Sequence, residues 1–129
     1  LYFYRMQSFP KNERLCGKIT IDNLFVNGSS IKGSFCRLVW NTEDFDNETI
    51  AQTLIVVPKK YIKNAANRNI VKRRIREAFR IYKSSLYTKI KSKKQQLAIA
   101  IIYQEQEIFP YKVIEEKIKL ILGRLSEEI

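Results

Sequence analysis

The chain has 129 residues, room for one domain with its own core and too little for several. Its 24 Lys and Arg stand against 13 Asp and Glu, a net charge of +11 that points to a polyanionic partner, and its longest apolar run, residues 97–103, is far short of the ~20 residues a bilayer span needs. There is no His, and Cys16 and Cys36 stand apart, so the sequence offers neither a zinc constellation nor the commonest general base; two reduced thiols in a cytoplasmic protein without a signal peptide are expected.

In chain order, residues 20–27 predict a short helix. Thr20 is placed to cap it, Ile21, Leu24 and Phe25 share one face, and Gly28 is placed to end it in a left-handed turn. Residues 34–40 alternate as a strand, with Phe35, Arg37 and Val39 on one face and Cys36, Leu38 and Trp40 on the other. The acidic run 43–48 (EDFDNE) reads as a solvated hairpin connection to a buried strand at 53–57, where Pro58 stops the pairing. Residues 64–83 carry the strongest helical pattern, with Val71, Ile75, Ala78, Phe79 and Tyr82 filling one apolar stripe. A polar connection over 87–96 leads to a second buried strand at 96–103. Pro110 then opens a helix whose apolar residues are Ile114, Ile118, Ile121, Leu122 and Leu125, with Gly123 a point of fraying. The α-β-β-α-β-α order predicts a single α+β domain over 1–129, a two-layer sandwich of a small central mixed sheet and flanking helices.

Residues 59–83 hold ten basic side chains and one acid, Glu77, so most of the chain's excess charge sits here. On a helical wheel Asn69, Lys72, Arg73, Arg76, Arg80 and Lys83 occupy an arc beside the apolar stripe. A solvated face normally mixes signs in i, i+4 pairs; this arc does not, so its self-repulsion calls for an anionic partner. Arginine's planar fork suits phosphate oxygens. Membrane binding is disfavoured because the helix's other face is core. A nuclease acting alone would need gathered carboxylates or a His base, and the acids here lie in loops and near the C-terminal end. Physical reasoning leaves RNA and DNA both open, and a general basic RNA- or DNA-binding protein, such as a ribosome-associated factor, is the alternative reading.

Residues 65–80 (AANRNIVKRRIREAFR) resemble the signature of the bacterial ribonuclease P protein family at Ala65, Ala66, Arg68, Asn69, Lys72, Arg73, Arg76, Glu77 and Arg80. Ala66 stands where the family usually has Val. Val57, Pro58, Lys59 and Lys60 resemble the family's strand end before this helix, and Leu24, Phe25 and Gly28 its first helix and following turn; Ile21 stands where an aromatic is common. The resemblance implies a left-handed βαβ crossover leading through the basic helix. It also implies a catalytic centre in an RNA that carries Mg2+, with no catalytic residue or cofactor in the protein. The partners so implied are the catalytic RNA and precursor tRNA, with neither DNA nor membrane expected. By the same resemblance, Arg68, Asn69, Lys72, Arg73, Arg76 and Arg80, with Lys59, Lys60 and Lys63, would bind RNA. Phe25, Phe35, Arg37 and Tyr61 would be candidates for a cleft holding the single-stranded 5′ leader, with Phe35 favoured over Trp40 because it shares a face with Arg37.

Overall fold

The computed structural model describes residues 9–129. A 3-10 turn at Lys11–Glu13 leads to helix α1 (Lys18–Asn27), strands β1 (Ser29–Lys32), β2 (Cys36–Thr42) and β3 (Ala51–Val56), helix α2 (Ala65–Ser92), strand β4 (Leu97–Tyr103) and helix α3 (Tyr111–Glu128). The sheet order is β1-β2-β4-β3. β2 pairs antiparallel with β1 and β4, while β3 and β4 run parallel and are joined through α2. A mixed sheet with flanking helices agrees with the expected α+β class, with β1 as an additional strand; SSIK is too short and too polar to announce itself.

β4 takes the centre because nearly all of it is apolar: LAIAIIY is buried at every position but Ile102, as a strand covered on both faces must be. Its placement overturns the hairpin expected between residues 34–40 and 53–57. β2 and β3 pair on either side of β4, and the acidic connection 43–48 spans the end of the sheet between them. That connection is held in place: Gln96 accepts from the Phe45 amide through Oε1 at 2.8 Å and donates through Nε2 to the carbonyls of Asn47 (2.8 Å) and Thr49 (2.7 Å).

One face of the sheet carries Ile31, Leu38, Leu97, Ile99 and Ile101 into a core completed by Val71, Ile75, Phe79, Leu86 and Ile90 of α2 and Ile114, Ile118 and Leu125 of α3. The opposite face is covered less fully. There Leu24 of α1 packs on Val39, Ala98 and Ala100, with Ile21, Leu54 and Ile102 half-buried around them. Gly28 ends α1 with extended backbone (φ −72°, ψ 153°), not the expected left-handed turn. Its glycine is required by close approach: a Cβ would stand 2.4 Å from the Leu24 carbonyl oxygen and 2.8 Å from Val39 Cγ1.

α2 runs nine residues past the expected end at 83, because Leu86 and Ile90 continue its buried stripe and Asn64 caps its start by accepting from the Asn67 amide at 3.1 Å. Lys83 is 1% exposed and leaves the basic arc altogether. Its ammonium donates to Glu13 Oε1 at 2.7 Å, the Tyr87 hydroxyl donates to the same oxygen at 2.6 Å, and the Phe9 ring lies 5.6 Å from the charge. Burial lowers the Lys83 pKa against the opposing pull of Glu13, and burial first, then Glu13, raises that of Tyr87. This cluster pins the segment before α1 across α2, where Leu15 also donates its amide to the Thr53 carbonyl at the β3 edge (3.0 Å). Gly123 does not interrupt α3; it faces open space on the solvent side of the helix.

Two substitutions test this packing by denaturant unfolding. Phe79→Ala is expected to cost about 3–5 kcal/mol, since the ring is fully buried. Lys83→Ala leaves the Glu13 carboxylate without its cation and is expected to cost about 3 kcal/mol; an effect below about 0.5 kcal/mol, typical of surface positions, would refute the pinning.

Candidate nucleic-acid interface

The basic side chains of α2 up to Arg80, with Asn69 among them, fall into three groups by what they touch. Arg74 points toward α3 and donates to the Phe109 carbonyl at 2.6 Å, so it serves packing. Arg68 donates through Nη1 to the carbonyls of Ile62 (3.0 Å) and Lys63 (2.7 Å), tying the β3–α2 connection to the first turn of the helix. Asn69, Lys72, Arg73, Arg76 and Arg80 lie along the flank away from α3. There Asn69 and Arg73 are exposed and Lys72, Arg76 and Arg80 half-buried. Glu77 answers one cation, taking a forked contact from Arg80 (Nη2 2.6 Å, Nε 3.1 Å), and that contact lowers the Glu77 pKa. The Nε of Arg76 is buried with no acceptor, an unmet donor on this flank.

At the N-terminal end of α2, Lys59, Lys60 and Lys63 are exposed around the turn that follows β3. The Lys60 ammonium sits 5.1 Å from the centre of the Tyr61 ring. These lysines and the flank of α2 therefore form one cationic surface along the β3 edge of the sheet.

The structure divides the four cleft candidates. Arg37 projects from the α1 side of β2, where its Nε donates to Ser30 Oγ at 2.7 Å, and Phe25 stands 46% exposed on α1. Phe35 is on neither. The chain bends at Ser34 and Phe35 before β2 begins, so strand alternation does not reach Phe35. Its ring lies 5.4 Å from that of Tyr103 and 4.7 Å from that of Phe109, in the core under α2 and α3. It therefore does not share a face with Arg37, and it is 6% exposed. Tyr61 is half-buried against the same core. Trp40 also faces that core, half-buried, with its indole Nε1 buried and unpartnered. In their place the α1 side presents Lys32, which pairs with Arg37 across β1 and β2, and half-buried Val56 and Ile102. Lys32 was hidden by the unrecognised β1; Val56 and Ile102 looked like ordinary core.

Among the described residues no three His, Cys, Asp or Glu side chains gather to hold a metal ion. Among them too, no helix is long and apolar enough to cross a membrane. Burial pushes the Cys36 thiol up to about 11, which keeps it protonated and unreactive at neutral pH.

The family model for ribonuclease P matches residues 9–126. The chain belongs to the ribonuclease P protein family. It is 31% identical to the ribonuclease P protein component of Chlorobium phaeobacteroides, over 95% of this chain and 92% of that one. Against the component from Porphyromonas gingivalis the identity is 26%, over 92% and 87%. Two solved structures share the fold. The Staphylococcus aureus ribonuclease P protein aligns with TM-score 0.66 at 20% identity, over 88% of this chain and 94% of that one. The Thermotoga maritima protein aligns with TM-score 0.64 at 23% identity, over 87% and 96%. Membership in this family makes the chain a protein subunit of an endoribonuclease and a partner of ribonuclease P RNA.

Within the basic group, stability separates the roles. Arg68→Ala is expected to lower unfolding stability by about 1–3 kcal/mol through its two carbonyl contacts, whereas Arg73→Ala should stay within about 0.5 kcal/mol of the parent. Equal effects in thermal or denaturant unfolding would show that Arg68 does not organise the turn.

Proposed function

We propose that this chain binds the catalytic RNA of ribonuclease P through the basic flank of α2 and holds the 5′ leader of precursor tRNA on the α1 side of the sheet. In this reading it assists removal of the leader to give mature tRNA 5′ ends. The observation that carries the proposal is the flank of Lys72, Arg73 and Arg76, with the Asn69 amide beside them and Glu77 answering Arg80, in a chain of this family. Five-donor guanidinium groups there meet phosphate oxygens, the Asn69 amide offers a hydrogen bond to ribose or phosphate, and Lys59, Lys60 and Lys63 extend the contact along the backbone.

The chemistry is assigned to the RNA. Among the described residues no acids gather into a metal site; in this reading magnesium would come with the RNA and would supply there the activation of the attacking water and the stabilisation of the leaving oxygen. What the protein supplies is positive charge and a surface for unpaired nucleotides. The charge offsets repulsion between two RNA molecules and lowers the magnesium concentration needed for activity. On the α1 side Phe25 offers a ring for stacking, worth ~1–3 kcal/mol per base, and Arg37 and Lys32 offer phosphate contacts beside the apolar floor of Val56 and Ile102. Mature tRNA lacks the leader, so such a surface favours substrate over product.

For the helix, Arg73→Ala and Arg76→Ala should each reduce the slope of log affinity for catalytic RNA against log salt by about one unit, with the fold intact. Unchanged slopes in both would remove this flank as the RNA site. For the sheet, a precursor with a leader of several nucleotides should bind the holoenzyme more tightly than one with a single leader nucleotide. Phe25→Ala and Arg37→Ala should erode that difference without weakening catalytic-RNA binding. A leader-length effect equally large with RNA alone, measured by equilibrium binding, would refute the role of the α1 side.

A further inference from the structure

The basic flank of α2 does not end at Arg80. Lys91 lies eighteen residues after Arg73, about five helical turns, so the two share one azimuth roughly 27 Å apart along the axis. Beyond Lys91 the chain leaves the helix at Lys93 and turns through Lys94, whose φ of 55° is left-handed. Lys91, Lys93 and Lys94 are all exposed. Taken alone they would prolong the cationic rail to the far end of the helix, a second landing place for RNA.

Against them stands the β2–β3 connection. Asp44, Asp46 and Glu48 are exposed, three carboxylates for three ammonium groups. Lys94 shares one shallow groove with Glu43 and Asp44, and Lys91 and Lys94 share another with Glu48. The connection keeps its place without help from these charges. Gln96 bonds three of its backbone groups, the Glu43 amide donates to the Gln96 carbonyl at 2.9 Å, and Asn23 of α1 donates to Glu43 Oε1 at 2.8 Å. Among the described residues, no carboxylate of the connection forms an ion pair with these lysines. Lys91 and Lys94 thus share grooves with Glu43, Asp44 and Glu48, with Asp46 and Lys93 in the same segments, an arrangement in which opposite charges offset one another's field toward an approaching phosphate chain.

We propose that the acidic connection 43–48 is a built-in counter-charge that silences the distal lysines of α2 and confines RNA to the half of the helix bearing Arg73 and Arg76. It is a specificity device acting against misplaced or shifted RNA, and it rests on the reading of α2 as the RNA-binding helix.

The test uses the full chain, an RNA duplex unrelated to ribonuclease P as the probe, and binding measured across a range of salt. Asp44→Asn, Asp46→Asn and Glu48→Gln combined are near-isosteric and leave the Gln96 bonds untouched. This variant should bind the duplex about tenfold or more tightly at low salt and steepen the salt slope by roughly two to three units, about one per lysine released. Lys91→Ala, Lys93→Ala and Lys94→Ala combined should change little alone, yet should cancel the gain when added to the acidic-connection variant. An unchanged slope on neutralising the acids, or a gain that survives removal of the lysines, would overturn the proposal. Arg73→Ala is measured alongside: its loss of slope depends only on the proximal flank, so it separates failure of this inference from failure of the RNA-binding reading.

Discussion

The rotational setting of α2 is held from three directions. Val71, Ile75 and Phe79 press its stripe onto the sheet, Arg74 reaches the Phe109 carbonyl on the α3 flank, and Lys83 is tied to Glu13 on the other. A helix held at one azimuth alone could roll by a residue's width, about 100°, and carry its charges with it. Held at three, it keeps Asn69 and Arg73 exposed, with Arg76 half-buried beside them, while its core stripe stays dry. A phosphate-binding surface needs that constancy, because arginine forks are directional in a way that a diffuse positive charge is not.

The second constraint is the burial of β4 on both faces. A central strand without polar positions forces its neighbours to supply the polarity, and the two sides of the sheet then differ. The α2 and α3 side is fully packed, down to Tyr103, Phe35 and Phe109 in ring contact. The α1 side is covered mainly by Leu24 and Ile21, leaving Phe25, Arg37, Lys32 and Ile102 at its margin. A short helix on a wide sheet leaves a ledge, and a ledge with one ring, two cations and an apolar floor suits a single strand of nucleic acid better than a duplex. The basic flank of α2 and this ledge lie on different surfaces, so the function proposed above does not require one surface to serve two RNA molecules.

Charge along α2 is graded as well as sided. Its first half faces water with arginines and few answering acids. Near its far end Lys91, and Lys94 in the turn beyond, share grooves with residues of the acidic β2–β3 connection, which the β2-β4-β3 order brings to the same end of the sheet. Had β2 and β3 formed a hairpin, that connection would have remained beside its own strands. The insertion of β4 between them carries it across to the end of α2.

Local pattern made the class of the fold, the apolar stripes of α2 and α3 and the family signature over residues 65–80 legible, because each depends on residues within a few turns of one another. Leu86 and Ile90 were missed: the lysines around them disguised the stripe, so the helix was expected to stop at 83 and a polar connection to run over 87–96. What the sequence alone could not decide were the long-range pairings. The order β2-β4-β3, the removal of Lys83 from the basic arc by Glu13 seventy residues away, and the burial of Phe35 beyond the bend at Ser34 all depend on which distant segments meet. A wheel or an alternation pattern assigns a side chain to a face of its own element. Only the packed structure decides what that face meets, since burial and charge pairing are properties of neighbours in space.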